Sequence, residues 1–342
     1  MMKKIDELRI LDCTIRDGGY LTNWFFDDNF VMNLIKCLKK SKIDIIEIGW
    51  RGTEKYFSKE KYGKWRFSSE DDVRMAFGKE ISIDSPQISI MCNYGKIDLH
   101  DFIPKNESLI DIVRVVADKE KITNAVDLLQ KLKKKGYIVS LNATGFSNYS
   151  PNERIELVHI LKESCIDILY IADTYGSLLP SDINIIFEPF LENMNNKLIG
   201  FHPHNNMQMA FINSIEAIKL GVDLIDATIF GMGRCAGNLP LELLLTYFKR
   251  DKKTKYELLP ILIFLHQYML PLHEKIGWGY TLTNLLSGFF KCHPYFIRDI
   301  IESNNKFEID DIVNILVKIN KINPPTYTKG MVDDIIKFDR IL

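Results

Sequence analysis

IDILYIADTYG, residues 166–176, is a short apolar run that ends in a polar tip and a glycine. A run of that length, rich in Ile and Leu, fits a strand buried on both faces, as parallel strands under helices are. Seven further runs of the same kind recur: LRILDCT (8–14), IDIIEIGW (43–50), QISIMCN (87–93), IDIVRVVA (110–117), YIVSLNA (137–143), KLIGFHPH (197–204) and VDLIDATIF (222–230). Most of the gaps hold amphipathic helical stretches. In KITNAVDLLQKLKKKG, Ile122, Val126, Leu129 and Leu132 make one stripe and Gly136 stops it. Ser150 before Pro151 reads as a helix cap. Eight strand–helix alternations predict an α/β chain folded as a (β/α)8 TIM barrel. A doubly wound sheet binding a dinucleotide would open on G-x-G-x-x-G, whereas the first turn here reads RDGGY (16–20). No repeat is evident beyond the strand–helix unit. After about residue 240 the rhythm gives way to helical segments. Residues 1–245 therefore read as the barrel domain and 246–342 as a helical C-terminal extension.

The 342 residues carry 44 Lys plus Arg against 45 Asp plus Glu, a net charge of −1. That balance removes the electrostatic argument for nucleic acid or an anionic membrane as partner. The six cysteines form no C-x-x-C pair, which speaks against a disulfide framework or structural zinc and for a reducing compartment. The N-terminal MMKKIDELRILD has no apolar stretch of signal-peptide type. A cytoplasmic protein is expected.

Barrel chemistry sits where strands end. Those positions hold Arg16-Asp17-Gly18-Gly19-Tyr20, Glu47, Asn142 with Thr144, Asp173 with Thr174, His202 with His204, and a glycine-rich segment from Gly231 to Asn238. Two histidines two residues apart on a strand point to the same face. A lone H-x-H pair is more often packing. With Asp17 at the end of the first strand, which lies next to the eighth in a closed barrel, a two-histidine, one-carboxylate site for a divalent metal becomes the favoured reading. Arg16 either stabilises an oxyanion beside such a metal or pairs with Glu47 or Asp173.

LDCTIRDGGY, IEIG, IADTYGSLLP, HPHNN and GMGRCAGNLPLE, in this order, resemble the DRE-TIM metallolyases (HMGL-like), and within them are most similar to the 4-hydroxy-2-oxovalerate aldolases. The resemblance covers about residues 8–245. It implies a divalent metal, Mn²⁺ or Mg²⁺, and cleavage or formation of a C–C bond of a 2-oxo acid through a pyruvate-like enolate, with an aldehyde as the other product. It implies Asp17, His202 and His204 as metal ligands, Arg16 steadying the enolate, and Asn238 near the metal or on it. Glu47, Asn142, Thr144, Asp173, Thr174, Cys235 and His293 are the expected substrate contacts. A homodimer, or a complex with an aldehyde-processing enzyme, is the expected assembly.

Two departures stand out. Tyr20 occupies the place of the aldolases' proposed histidine base, and Cys235 that of a glycine. Tyr20 with its pKa drawn down by Arg16 and metal, a metal-held hydroxide, and His293 from the extension all stay open as the base. A Claisen-type acyl-CoA lyase or synthase would need a basic phosphate site, and none stands out in the sequence. A catalytically retired barrel is the third reading.

Overall fold

The computed structural model describes residues 7–78, 85–250, 254–303, 307–322, 327–328 and 330–339. The eight apolar runs form eight strands: β1 Arg9–Asp12, β2 Ile45–Trp50, β3 Gln87–Asn93, β4 Ile112–Ala117, β5 Ile138–Ala143, β6 Ile168–Asp173, β7 Leu198–Pro203 and β8 Leu224–Ala227. Each pairs in parallel with the next, and β8 returns to β1 through Arg9↔Leu224 and Asp12↔Ala227, which closes the barrel. This is the (β/α)8 TIM barrel that the sequence predicts.

The helices are α1 Thr14–Thr22, α2 Asp28–Lys40, α3 Glu70–Phe77, α4 Ile122–Lys134, α5 Pro151–Lys162, α6 Pro180–Asn193, α7 Ala210–Leu220 and α8 Leu241–Arg250. Between β3 and β4 the described chain forms two short 3-10 turns rather than an α-helix. Ser150 caps α5 as expected, accepting from Glu153 N while Glu153 reaches back to Ser150 N.

A repeat does exist beyond the strand–helix unit, with fourfold order. Asp44, Asp111, Asp167 and Asp223 each stand one residue before an even-numbered strand. Their carboxylates accept from Ile10 N, Ile88 N, Val139 N and Ile199 N, each at 2.8 Å. Their carbonyls accept from the first residue of the strand on the other side, Gln87, Ile138, Leu198 and Arg9. Each aspartate thus clamps two neighbours at the rim opposite the active end and satisfies edge donors that would otherwise be orphaned.

Inside the barrel an apolar plug of Leu11, Cys13, Ile45, Ile112, Ile168, Tyr170 and Leu224 fills the lower half. Gly200 on β7 makes room for it, since a Cβ there would stand 2.5 Å from the Tyr170 ring. Above the plug lies a buried polar layer of Glu47, Arg114, Asp226 and His202. The extension continues as helices at Leu259–Phe264, Leu270–Ile276, Leu282–Phe289, Pro294–Glu302, Ile309–Ile322 and Met331–Asp339. Its later part has its own apolar cluster around Phe296, Ile300, Leu316 and Ile319. Among the described residues no helix is long and apolar enough to cross a membrane.

Candidate metal centre and active site

Arg16 and Asp17 do not lie on a strand end or a turn. They sit on α1, which begins two residues after β1 and carries TIRDGGYLT as one helix. Trp24 fixes its place: the indole Nε1 donates to Arg16 O at 3.0 Å, and the ring packs where a Cβ on Gly19 would be. The glycines here therefore serve close packing rather than a turn. The helix turns the Asp17 carboxylate towards His202 and His204, and one ligand atom from each of the three lies within 4.8 Å of the others.

Both imidazoles are set up as metal donors. His202 Nδ1 lies 2.9 Å from Asp226 Oδ2, and His204 Nδ1 lies 3.2 Å from Gly237 O. An Nδ1–H donated to each of these acceptors leaves both Nε2 lone pairs for an ion, the arrangement in which a second partner orients a ligating histidine. Burial, reinforced by Arg16, pushes His202 well below the usual imidazole range, and burial pushes His204 down to about 4. Burial acts to raise Asp17, but Arg16, His204 and His202 outweigh it and hold the carboxyl below its ordinary value. Neutral imidazoles beside an ionised carboxylate are the protonation state a divalent ion requires. Asn238 Nδ2 donates to Asp17 Oδ2 and, at 3.3 Å, to Met232 O, while its Oδ1 is buried without a partner. That orphaned oxygen beside the triad is a further donor an ion would satisfy. Gly233 keeps the approach open, because a Cβ there would meet Asn238 Nδ2 and stand 2.7 Å from Asp17 Oδ2.

Cys13, His202 and Asp226 form a second cluster of ligand type. Asp226 is already taken by Arg114 Nη2 at 2.6 Å and by His202, and burial raises the Cys13 thiol far above its ordinary value. Neither Cys13 nor Asp226 reaches the cavity, so the Asp17 cluster is the one open to a ligand.

Glu47 and Asp173, expected at substrate, do not line the cavity above the triad. Glu47 is wholly buried, taking Arg16 Nε at 2.7 Å and Arg114 Nη1 at 3.1 Å. Asp173 turns down to accept from Ser177 N and Leu178 N at 3.0 and 3.1 Å, holding the loop after β6. Burial raises its carboxyl to about 6. Arg16 thus pairs with Glu47 and Asp17, and its Nη2 remains beside His202 Nε2 at 3.5 Å.

A cavity of about 590 Å³ opens above the triad, and Tyr20, Asn142, Thr144, Thr174 and His293 line it with the cluster. Asn142 accepts from Arg114 Nε at 3.2 Å, Thr144 donates to Asp118 at 2.9 Å and Thr174 accepts from Gly145 N at 2.8 Å. His293 brings the extension to the mouth, its Nε2 lying 3.4 Å from Arg234 Nη1. Tyr20 is half-buried, edge-on to Trp24 and under Arg234. Burial raises its phenol, and the cations opposing that rise are Arg234 and Arg66. Cys235 lines a neighbouring cavity instead, with φ of 60° and a thiol that burial raises to about 11.

Sequence reasoning missed Arg114 and Asp226. Their only signal is a charge in the middle of an otherwise apolar strand, in IDIVRVVA and VDLIDATIF.

The HMGL-like family model matches residues 7–262, three quarters of the chain and the whole barrel. The chain belongs to the HMGL-like family. Among curated relatives, the oxaloacetate decarboxylase of Mycobacterium tuberculosis is 26% identical over 243 residues, covering 70% of each chain. The 4-hydroxy-2-oxovalerate aldolase of Carboxydothermus hydrogenoformans is 24% identical over 340 residues, 98% of this chain and 97% of its own. The crystal structure of the N-terminal domain of a candidate aldolase from Bacteroides vulgatus superposes with a TM-score of 0.75 at 30% identity, covering 90% of this chain and 99% of that one. The named homologues are aldolases and lyases, and this HMGL-like chain is accordingly a lyase of that superfamily.

Proposed function

We propose that the protein is a divalent-metal-dependent lyase that cleaves or forms the C3–C4 bond of a 4-hydroxy-2-oxo acid by way of the pyruvate enolate. The observation that carries this is the convergence of Asp17, His202 and His204 beside Arg16 at the floor of one cavity. Two imidazoles and a carboxylate with open positions suit a divalent ion, and the resemblance to the aldolases points to Mn²⁺ or Mg²⁺. When bound, such an ion supplies Lewis acidity to the 2-oxo group. Arg16 is held rigidly by Glu47 and Asp17, so its Nη2 can donate to oxygen as enolate charge develops without first reorganising. Cleavage passes the bonding pair of C3–C4 into the enolate, the C4 hydroxyl gives up its proton to a base, and C3 then takes a proton to yield pyruvate and an aldehyde. Tyr20 and His293, both lining the cavity, are the proposed groups for those protons. The aldolase match running through the extension, where His293 lies, supports this reading over the others.

A second reading, decarboxylation of a 2-oxo diacid such as oxaloacetate, is favoured by Tyr20. A phenol raised by burial is a poor base, and loss of CO2 needs none. Pyruvate release by the Mn²⁺-loaded protein, from 4-hydroxy-2-oxo acids and from oxaloacetate in parallel, tests both. Tyr20→Phe should remove retro-aldol turnover and leave oxaloacetate turnover if only the former needs the phenol. Protein that takes up metal yet releases pyruvate from neither substrate refutes the proposal.

A further inference from the structure

Beside the metal cavity lies a second one of about 620 Å³, sharing Tyr20, Asn93, Lys96, Arg234 and Tyr295 with it. Its described lining contains three cations, Arg66, Arg234 and Lys96, and no carboxylate. Four arginines are buried among the described residues, and Arg16, Arg51 and Arg114 each hold a carboxylate. Arg66 does not. It is 5% exposed, and Nη2 donates to Asn93 Oδ1 at 3.2 Å. Its Nε and Nη1 are buried with no hydrogen-bond partner. The rings of Phe57, Trp50 and Trp24 stand 3.7, 4.5 and 4.9 Å from its guanidinium carbon. Those faces attract the cation, but they do not replace the acceptors its N–H groups lose on burial. Arg234, on the other side of Tyr20, likewise has no carboxylate within 4 Å among the described residues, its contacts being His293 and Thr174 O. A desolvated charge is costly unless something pairs with it, and guanidinium forks match phosphate and carboxylate oxygens.

We infer that the second cavity is an anion subsite, in which Arg66 and Arg234, with Lys96 at the rim, bind a phosphate or carboxylate at the far end of the aldehyde half of the substrate. The inference rests on the proposed lyase reading for which half occupies the subsite. The enolate C3 at the metal triad attacks the aldehyde carbon near Tyr20, the aldehyde oxygen takes the proton, and the terminal anion lies beyond Arg234. Thr283, Asn284 and Tyr295 of the extension close this end, so the extension helps to set substrate length. The basic phosphate site that the sequence did not display is thus assembled from distant segments.

The test uses the full chain loaded with Mn²⁺. Pyruvate is condensed with glyceraldehyde 3-phosphate against glyceraldehyde, and with succinic semialdehyde against butanal, which separates phosphate from carboxylate. One anionic aldehyde should exceed its neutral counterpart in kcat/KM by at least roughly 10-fold, and Arg66→Gln should lower that preference by roughly 10- to 100-fold, with Arg66→Lys restoring part of it. If Arg66→Gln does not fold, judged by circular dichroism, Arg234→Gln and Lys96→Gln carry the same measurement. Exchange of the pyruvate methyl protons in D2O reads the enolate chemistry separately. Exchange with no preference in either aldehyde pair overturns the subsite and leaves the lyase reading standing. Without exchange the lyase reading fails, and the subsite is decided by titrating inorganic phosphate against tryptophan fluorescence, since Trp24 and Trp50 flank Arg66. A saturable change lost in Arg66→Gln supports an anion site, and no change overturns it. Consumption of acetyl-CoA with a 2-oxo acid in place of an aldehyde also overturns the assignment.

Discussion

Asp226→Asn is the sharpest probe of the candidate metal centre, because Asp226 lies outside the Asp17, His202 and His204 set yet holds His202 in place. Oδ2 takes His202 Nδ1 at 2.9 Å and Arg114 Nη2 at 2.6 Å, all three groups being buried. Asparagine keeps the shape and one acceptor oxygen but loses the charge. Histidine orientation and basicity then weaken together, and loss of such a supporting partner typically costs 10- to 100-fold in metal affinity. That is about 1.4–2.8 kcal/mol. Arg114 keeps Glu47 at 3.1 Å, so the stability loss should fall short of the roughly 3–5 kcal/mol for stranding a buried charge outright. Calorimetric titration of Mn²⁺ into chelator-treated protein, with circular dichroism to verify folding, gives both numbers. A folded variant whose Mn²⁺ Kd stays within twofold of wild type would refute the supporting role of Asp226. Asp17→Ala completes the test. If it binds metal normally while Asp226→Asn binds none, the ion belongs to the Cys13, His202 and Asp226 cluster instead.

Three further outcomes are expected. Arg16→Lys keeps a charge but cannot span Glu47 and Asp17 as a fork, so kcat for pyruvate release should fall by roughly 10²-fold with Mn²⁺ affinity changed far less. In metal-free protein His204 titrates at about 4 when folded against about 6.5 unfolded, so the unfolded chain binds the extra proton between those values. Stability should therefore drop as pH falls from 6.5 to 4, by up to about 1.4 kcal/mol per pH unit from this group, and urea unfolding of His204→Gln should show a shallower slope across that window. Gly233→Ala places a methyl 2.7 Å from Asp17 Oδ2; Mn²⁺ affinity should fall by roughly 10-fold or more, whereas an unchanged Kd would show that the loop yields freely.

The barrel was legible because parallel strands are buried on both faces, and that leaves continuous apolar runs no other element imitates at such spacing. The His202 and His204 pair was legible for the same reason, since strand period two fixes their common face. The helix carrying Asp17 was not. TIRDGGYLT holds two glycines, which local propensity assigns to a turn, and the helix stands because Trp24 packs on it from a later position. The fourfold aspartates hid in plain view: each looks like an ordinary polar residue ahead of a strand until the barrel closes and shows which amides it caps. Arg66 gave no signal at all, since its meaning lies in the absence of a carboxylate that only packing reveals.

The polar layer under the active end also bears on the order in which ligands would bind. Arg16 and Arg114 face Asp17, Glu47 and Asp226 there, with burial holding both histidines below their ordinary range, so this layer beneath the cavity has three carboxyl groups against two guanidinium groups. A 2-oxo acid arriving first would bring its carboxylate against that excess. A divalent cation arriving first reverses its sign and turns repulsion into attraction. On the proposed lyase reading, the metal would bind before the 2-oxo acid. On the inferred subsite, an aldehyde bearing its own anion would instead reach past this layer to Arg66 and Arg234, which line the neighbouring cavity.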